Sequence, residues 1–355
     1  MAYQNVGTPT FYIDSFVLYN ALKLGSSDFP IFDLNPSLQY NSILEEDLQV
    51  WGGITHNWVY KTSAPFYNIG YLALLGHSGF ATEGHLWLAV NPLVGDAYYP
   101  LGSASNDAIN YPAPHGNDPG EYDGFSLRTF DPLDDITNVE SLTFYSYTAS
   151  GVSRTIGCIS MGSIYKMKNA PNLSLKMGRE YGGTKEFTTY NGSSMSNTMW
   201  NKPPKWGDLG AWELGNSNPA LSRSGRRTWD LTFSYIDDGD LWGSNQSIGI
   251  YAEQDGWDTF YPTPSGSSSD YDTDDIDTAD GQMAGFNYNL LTDDNFFSQV
   301  WHKTLGGTLP FIFQPDSNNF NPDQFAIVKS VKNSLKAKQV APNLYDISLS
   351  LEEVW

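Results

Sequence analysis

The chain has 355 residues, of which 40% are hydrophobic, 15% aromatic and 17% charged, and its net charge is −21. So much apolar and aromatic surface excludes an intrinsically disordered chain, and the length suffices for two domains with cores of their own. An acidic surface of this size repels phosphate backbones and argues against nucleic-acid binding.

A single cysteine, Cys158, rules out an intrachain disulfide. It lies in the apolar run Ile156–Ile159 and reads as a buried, inert thiol. Met1–Asn5 has neither the basic nor the apolar stretch of a signal peptide, and no run approaches the length of a membrane helix. The expectation is assembly in a cytoplasm, without membrane insertion.

Gly and Pro number 33 and 20 and are scattered throughout, which favours short strands joined by turns. In chain order, Leu18–Leu24 reads as a short helix. Tyr71–Leu75 reads as a strand closed by Gly76, and Leu86–Val90 and Leu142–Tyr147 read as further strands. Lys168–Pro171 marks a boundary, so the expected domains are residues 1–172 and 173–355. Ser193–Asn218 and Tyr261–Gly285 are long irregular segments. Thr228–Tyr235 alternates strictly: Trp229, Leu231, Phe233 and Tyr235 face one way, as in a half-buried strand. Asn295–Leu305 predicts a helix capped by Asp293 or Asp294. Its apolar stripe is Phe297, Val300, Trp301 and Leu305, Lys303 lies near its negative end, and Gly306–Gly307 terminates it. The last strand alternates again, with Tyr345, Ile347, Leu349 and Leu351 on one face. The fold class expected is mostly β, as two β-sandwich domains with one packed helix.

No catalytic constellation assembles from these residues. Gly76-His77-Ser78-Gly79 departs from the Gly-x-Ser-x-Gly elbow, because Phe80 stands two after Ser78. His56, His77, His85, His115 and His302 include no pair at helical metal-site spacing, and no second cysteine exists. Asp270–Asp277 places an acid at nearly every second position but lacks the EF-hand Gly and Glu, and reads as a solvated loop. A pair of carboxylates suited to glycoside hydrolysis cannot be located among 40 acids. Catalytic, cofactor-binding and metal residues are therefore expected to be none, and the chain is expected not to be an enzyme. Lys329, Lys332, Lys336 and Lys338 form the one basic cluster. They read as edge or loop lysines, or as a contact for an acidic neighbouring subunit.

The second half resembles the distal tail proteins and related ring-forming tail proteins of siphophages. The likeness rests on Ser224–Tyr235, on the helix that follows, on Leu309–Asp316, and on Gln339–Tyr345 with the last strand to Glu353. It covers residues 173–355 and implies a belt-like β-sandwich. The first half is similar to phage virion proteins with a jelly-roll or discoidin-like module, through Thr8–Asp14 and Leu72–His77. The second of those motifs usually ends Gly-His-Asn, and Ser78 stands in the Asn place. The resemblance implies a virion protein of the phage tail. It implies a closed ring, expected as a hexamer, joining the tail tube to baseplate hub or fibre proteins, with an outward module that could touch a cell-surface glycan. A receptor-binding or carbohydrate-binding module, a tail-associated glycosidase, and another virion position such as tube, head decoration or fibre adaptor stand as alternatives.

Overall fold

The computed structural model describes residues 6–27, 46–49, 56–62, 66–75, 85–92, 97–99, 109–110, 125–133, 139–147, 153–156, 158–180, 185–196, 205–206, 209–210, 226–243, 293–319 and 324–354. The first half contains β1 (Thr10–Asp14), α1 (Ser15–Ala21), β2 (Gly25–Ser27), β3 (Glu46–Gln49), β4 (His56–Thr62), β5 (Ile69–Leu75), β6 (His85–Pro92), β7 (Ala97–Tyr99) and β8 (Ile109–Asn110). It continues with β9 (Phe125–Leu133), β10 (Val139–Tyr147), β11 (Ser153–Ile156) and β12 (Cys158–Lys166). The second half contains β13 (Lys176–Glu180), β14 (Glu186–Thr188), β15 (Ser194–Ser196), β16 (Lys205–Trp206), β17 (Leu209–Gly210), β18 (Arg226–Asp237) and α2 (Asp238–Leu241). A π-helix (Phe297–His302), β19 (Phe311–Gln314), β20 (Ala326–Ser330), β21 (Ala337–Ala341) and β22 (Leu344–Glu353) complete it.

The chain is mostly β, as its composition predicts. A ten-stranded sheet runs β13-β18-β22-β20-β19-β1-β12-β5-β9, with β21 added beside β22. A six-stranded sheet runs β2-β4-β10-β6-β7, with β8 on β6. The expected domain division at 172/173 falls between β12 and β13, but it is not a break in the hydrogen bonding. Strand β1 pairs with β12 on one edge and with β19 on the other, so strands from both halves share one sheet.

That central position explains the apolar sequence of β1, which is buried along its whole length. Phe11 and Ile13 face a core built with Tyr165, Trp229, Phe233, Phe296, Phe311 and Phe313. The Phe11 ring lies 5.4 Å from Phe313 and 5.8 Å, edge-on, from Phe296 of the helical segment. Tyr12 points to the other face, 5.3 Å from the Tyr71 ring. Each such side chain contributes roughly 1.5–3 kcal/mol by leaving water.

Local details depart from the sequence reading in instructive ways. Helix α1 begins at Ser15, three residues before the expected start, because Asp14 caps it by accepting from the Phe16 and Val17 amides. In β18, Trp229, Leu231 and Phe233 are buried as the alternation requires, but Tyr235 is 66% exposed. A register shift between Phe233 and Ile236, with Tyr235 at φ 58°, hands the inward position to Ile236.

The helix expected over Asn295–Leu305 is instead a π-helix of six residues, and the Ser298 amide in its first turn donates to the Asn295 carboxamide oxygen. Its wider turn buries Phe296, Gln299, Val300, Lys303 and Thr304, whereas Leu305 turns out to solvent at φ 50°. Gly306 and Gly307 continue in the left-handed region and end the segment, as the sequence predicts. Lys303 does not serve the helix end. Its buried Nζ donates to Gln299 Oε1 (2.8 Å) and to Ser163 Oγ of β12 (3.2 Å), which ties the helix to the sheet.

Candidate functional site

Besides the Lys303 contacts, two regions of the described residues carry polar chemistry inside the fold. The first lies on the Tyr12 face of the ten-stranded sheet. Tyr12 donates to Gln314 Oε1 at 2.7 Å, and Gln314 Nε2 donates to the Asn319 carbonyl at 2.8 Å. Next to them the Tyr71 and Ser160 hydroxyls share a hydrogen bond of 2.9 Å. Asp14 sits beside Ser160, 3% exposed, with Oδ1 occupied by the α1 amides. Its Oδ2 has no hydrogen-bond partner, and of the groups around the carboxyl the Ser160 hydroxyl does most to favour its charged form. Burial therefore pushes the Asp14 carboxyl up to about 6, against smaller lowering by Ser160 and the two amides. Burial likewise raises the Tyr12 phenol well above its ordinary value, so it remains a neutral donor.

A carboxyl that ionises less readily when folded weakens the fold as it charges. The folded form holds its proton longer than the unfolded chain, so stability from this group falls as pH rises from 3.8 through about 6. Asp14→Asn keeps an oxygen for the cap and removes the titration. The variant is expected to gain about 3 kcal/mol relative to the parent between pH 4 and pH 7, measured by urea unfolding across that range. A constant difference over those pH values would show that Asp14 is not held protonated.

The second region is the pair Arg227–Glu353 at the junction of β18, β22 and β20. Arg227 Nε and Nη2 reach the two carboxylate oxygens at 3.1 and 2.8 Å, Nη2 also donates to the Phe325 carbonyl at 2.6 Å, and the Arg227 amide donates to Glu353 Oε2 at 2.9 Å. The guanidinium lies 5.5 Å from the Trp229 ring centroid. Every donor direction in this set points at a carboxylate or carbonyl within the sheet, so its geometry is that of a clamp between strands.

Among the described residues no three His, Cys, Asp or Glu side chains gather as a metal site. His302 lies in the π-helix, and burial first, then the Lys303 charge, push its proton affinity below the ordinary histidine range. His56 and His85 lie on β4 and β6, which both pair with β10 in the six-stranded sheet. His77, His115, the Gly76–Gly79 turn and the Asp270–Asp277 run lie outside the described residues. No described helix is long and apolar enough to cross a membrane.

The remaining candidate is the surface. Strand β13 forms one end of the ten-stranded sheet and is exposed at all five residues. Strand β21 pairs only with β22 and is exposed at its three central residues. Comparison with protein-family models, with curated proteins and with solved structures finds no match. Of the lysine cluster, Lys329 is half-buried at the end of β20, and burial lowers its proton affinity. Lys332, Lys336 and Lys338 are exposed around β21, and none of the four forms an ion pair among the described residues. Lys338 thus lies on the exposed strand β21 and Lys332 and Lys336 in the segment that leads into it, whereas Lys329 lies on β20 inside the sheet. Exposed Val331 and Val340 lie with them.

The sequence reading did not single out Asp14 or Arg227–Glu353. For Glu353 a signal was available: it occupies the same parity as Tyr345, Ile347, Leu349 and Leu351, so the last inward-facing residue of a core strand is an acid.

Proposed function

We propose that this chain is a structural subunit of a bacteriophage virion, forming a closed ring at the distal tail that joins the tail tube to baseplate hub or fibre proteins. The observation that carries the assembly part is the pair of exposed strand edges, β13 and β21, in one large sheet. Open edges present unpaired amides and carbonyls, and heterologous contacts between two different edges form a ring when the rotation from copy to copy closes. The lysines at β21 suit a neighbour of the same kind, because each copy carries a net charge of −21. Placement in a phage tail rests on the sequence resemblance over residues 173–355. The reading gives the chain a binding and building role and no catalytic one.

The purified chain is expected to show the mass of a small closed oligomer by native mass spectrometry. The triple variant Lys332→Glu, Lys336→Glu, Lys338→Glu is expected to shift that oligomer towards single chains. The shift should be largest at low salt, where surface charges are least screened. A parent that remains a single chain would sink the ring. A triple variant that assembles like the parent would remove the β21 edge from it.

A further inference from the structure

The chain crosses from the ten-stranded sheet to the six-stranded sheet through α1. Strand β1 ends at Asp14, α1 starts at Ser15, and β2 pairs with β4 in the second sheet. Asp14 stands at the start of this crossing. Its backbone pairs with Gly162 of β12, where the Ile13 carbonyl and the Ser15 amide pass too close to leave room for a Cβ. Its Oδ1 holds the first turn of α1 through the Phe16 and Val17 amides, at 2.8 and 3.1 Å. Its Oδ2 is buried without a hydrogen-bond partner.

A buried carboxylate is tolerated when a cation or enough donors face it. Here two amides serve Oδ1, none serves Oδ2, and no cation among the described residues supports the charge. The surrounding elements bring mainly phenols: Tyr12 on β1, Tyr19 on α1, and Tyr71 on β5, whose hydroxyl is engaged with Ser160. Helix α1 and strand β19 carry no acidic or basic residue. On β12, Lys166 lies opposite Thr10 at the far end of β1, Tyr165 belongs to the other core, and Cys158 pairs with Leu75 beyond the end of β1. Phenols and thiols ordinarily titrate above about pH 8. Burial raises the Tyr12 and Tyr19 phenols further, with Tyr67 adding to the effect on Tyr19. Among the described residues around the crossing, Asp14 is therefore the group that changes charge between pH 4 and pH 7.

We propose that Asp14 is a proton-operated latch on this crossing: the neutral carboxyl holds α1 against β12, and the ionised one lets α1 lift away while the rest of the ten-stranded sheet stays closed. The neutral carboxyl keeps both capping contacts without a buried charge. The ionised one is favoured wherever water reaches Oδ2, which the lifting of α1 supplies. Phe16 and Tyr19, packed edge-on against Phe66 at 5.9 and 5.1 Å, oppose the opening and keep the opened form a minor one. In the opened form the carboxyl ionises at its ordinary 3.8, and in the closed form at about 6. The opening equilibrium therefore rises with pH across that interval, by about 50-fold between pH 4 and pH 7.

Hydrogen exchange on the full chain, followed by mass spectrometry and corrected for the intrinsic pH dependence of exchange, reads the opening. Peptides covering α1 are expected to lose protection about 50-fold from pH 4 to pH 7. They are also expected to be less protected than peptides of β18 and β22 and insensitive to low urea, as in a local opening. Asp14→Asn keeps an oxygen for the cap and cannot ionise, so its α1 protection is expected to stay constant over that range. Asp14→Ser, which also caps without titrating, takes its place if the Asn variant does not fold. Parental α1 protection that does not change with pH would overturn the latch, as would an equal loss in the variant. So would α1 amides that exchange only together with those of β18 and β22, because ionisation would then loosen the whole fold and not this crossing.

Discussion

Gly162→Ala is expected to destabilise the fold by about 3 kcal/mol or more, measured as a lowered urea midpoint at unchanged slope. Gly162 lies in β12 opposite Asp14 of β1 and opposite Tyr71 of β5. At this point β1 leaves the sheet and enters α1, so its backbone passes over β12 at the glycine. A Cβ on residue 162 would overlap the Ile13 carbonyl oxygen and sit 2.9 Å from the Ser15 amide nitrogen. Both are main-chain atoms where β1, the strand that joins the two halves of the sheet, passes into α1, and neither can rotate away. Relief requires moving β1, which carries Phe11 and Ile13 in one core and Tyr12 on the other face. Gly178→Ala supplies the control. It lies in the edge strand β13, where an added Cβ meets only the Thr228 hydroxyl at 2.8 Å, an atom that a rotamer change removes. It is expected to cost under about 1 kcal/mol, within the usual range for surface changes. Equal effects of the two substitutions would mean that the crossing at Gly162 is not tight.

The contrast between these glycines also shows what was legible in the sequence. Period-two alternation identifies a strand from residues on the strand itself. It placed Trp229–Phe233 and Tyr345–Leu351 on the correct faces, because each inward residue is large and apolar. It failed at Tyr235, where β18 itself bulges, three residues from Phe233 to Ile236 matching two on β22, and a strictly alternating pattern does not mark the extra residue. It also missed the close crossing at Gly162, since that depends on where β1 turns away, 147 residues or more earlier in the chain. The helical segment failed for a related reason. Phe297, Val300, Trp301 and Leu305 fit a 3.6-residue period, but the chain adopts a wider turn that favours Phe296 and Val300 and seats Lys303 against Ser163. The surface features were legible in part. The lysine spacing pointed to an edge, whereas the exposed hairpin of β14 and β15 could not be recognised, because Phe187 and Met195 look like core residues until their surroundings are known.

These misses have a common physical origin: the sheet brings together residues far apart in sequence, so a site's energy is set by pairs that local patterns cannot show. Asp14 is costly because burial outweighs what Ser160 and the Phe16 and Val17 amides do for its charge. Lys303 is tolerable inside the fold because Gln299 and Ser163 accept from it. In each case the decisive partner comes from another strand or from an adjacent helical turn.

Arg227–Glu353 is the clearest instance, and separating its two members is expected to be among the largest single effects in the molecule. Both side chains are mostly withdrawn from water, at 15% and 5% exposure. Removing one charge leaves the other desolvated, so Arg227→Met or Glu353→Gln is expected to cost about 3–5 kcal/mol each in urea unfolding. Arg227→Met also strips one donor from the Phe325 carbonyl beside β20 and leaves the Trp229 face uncovered, which places it at the upper end of that range. The double variant Arg227→Met/Glu353→Leu restores apolar packing without an isolated charge. It is expected to be markedly more stable than the sum of two single losses, with a coupling of about 1–3 kcal/mol in the cycle completed by Glu353→Leu. Additive losses would mean that the two side chains act independently, and single losses below about 1 kcal/mol would mean that water screens the pair as it does an exposed one. Because this clamp closes the junction of β18, β22 and β20, its failure should also release β13 and β21, the two edges assigned to assembly. Loss of the oligomer in Glu353→Gln at temperatures where the parent stays assembled would link the buried pair to the ring through the sheet edges that it holds in place.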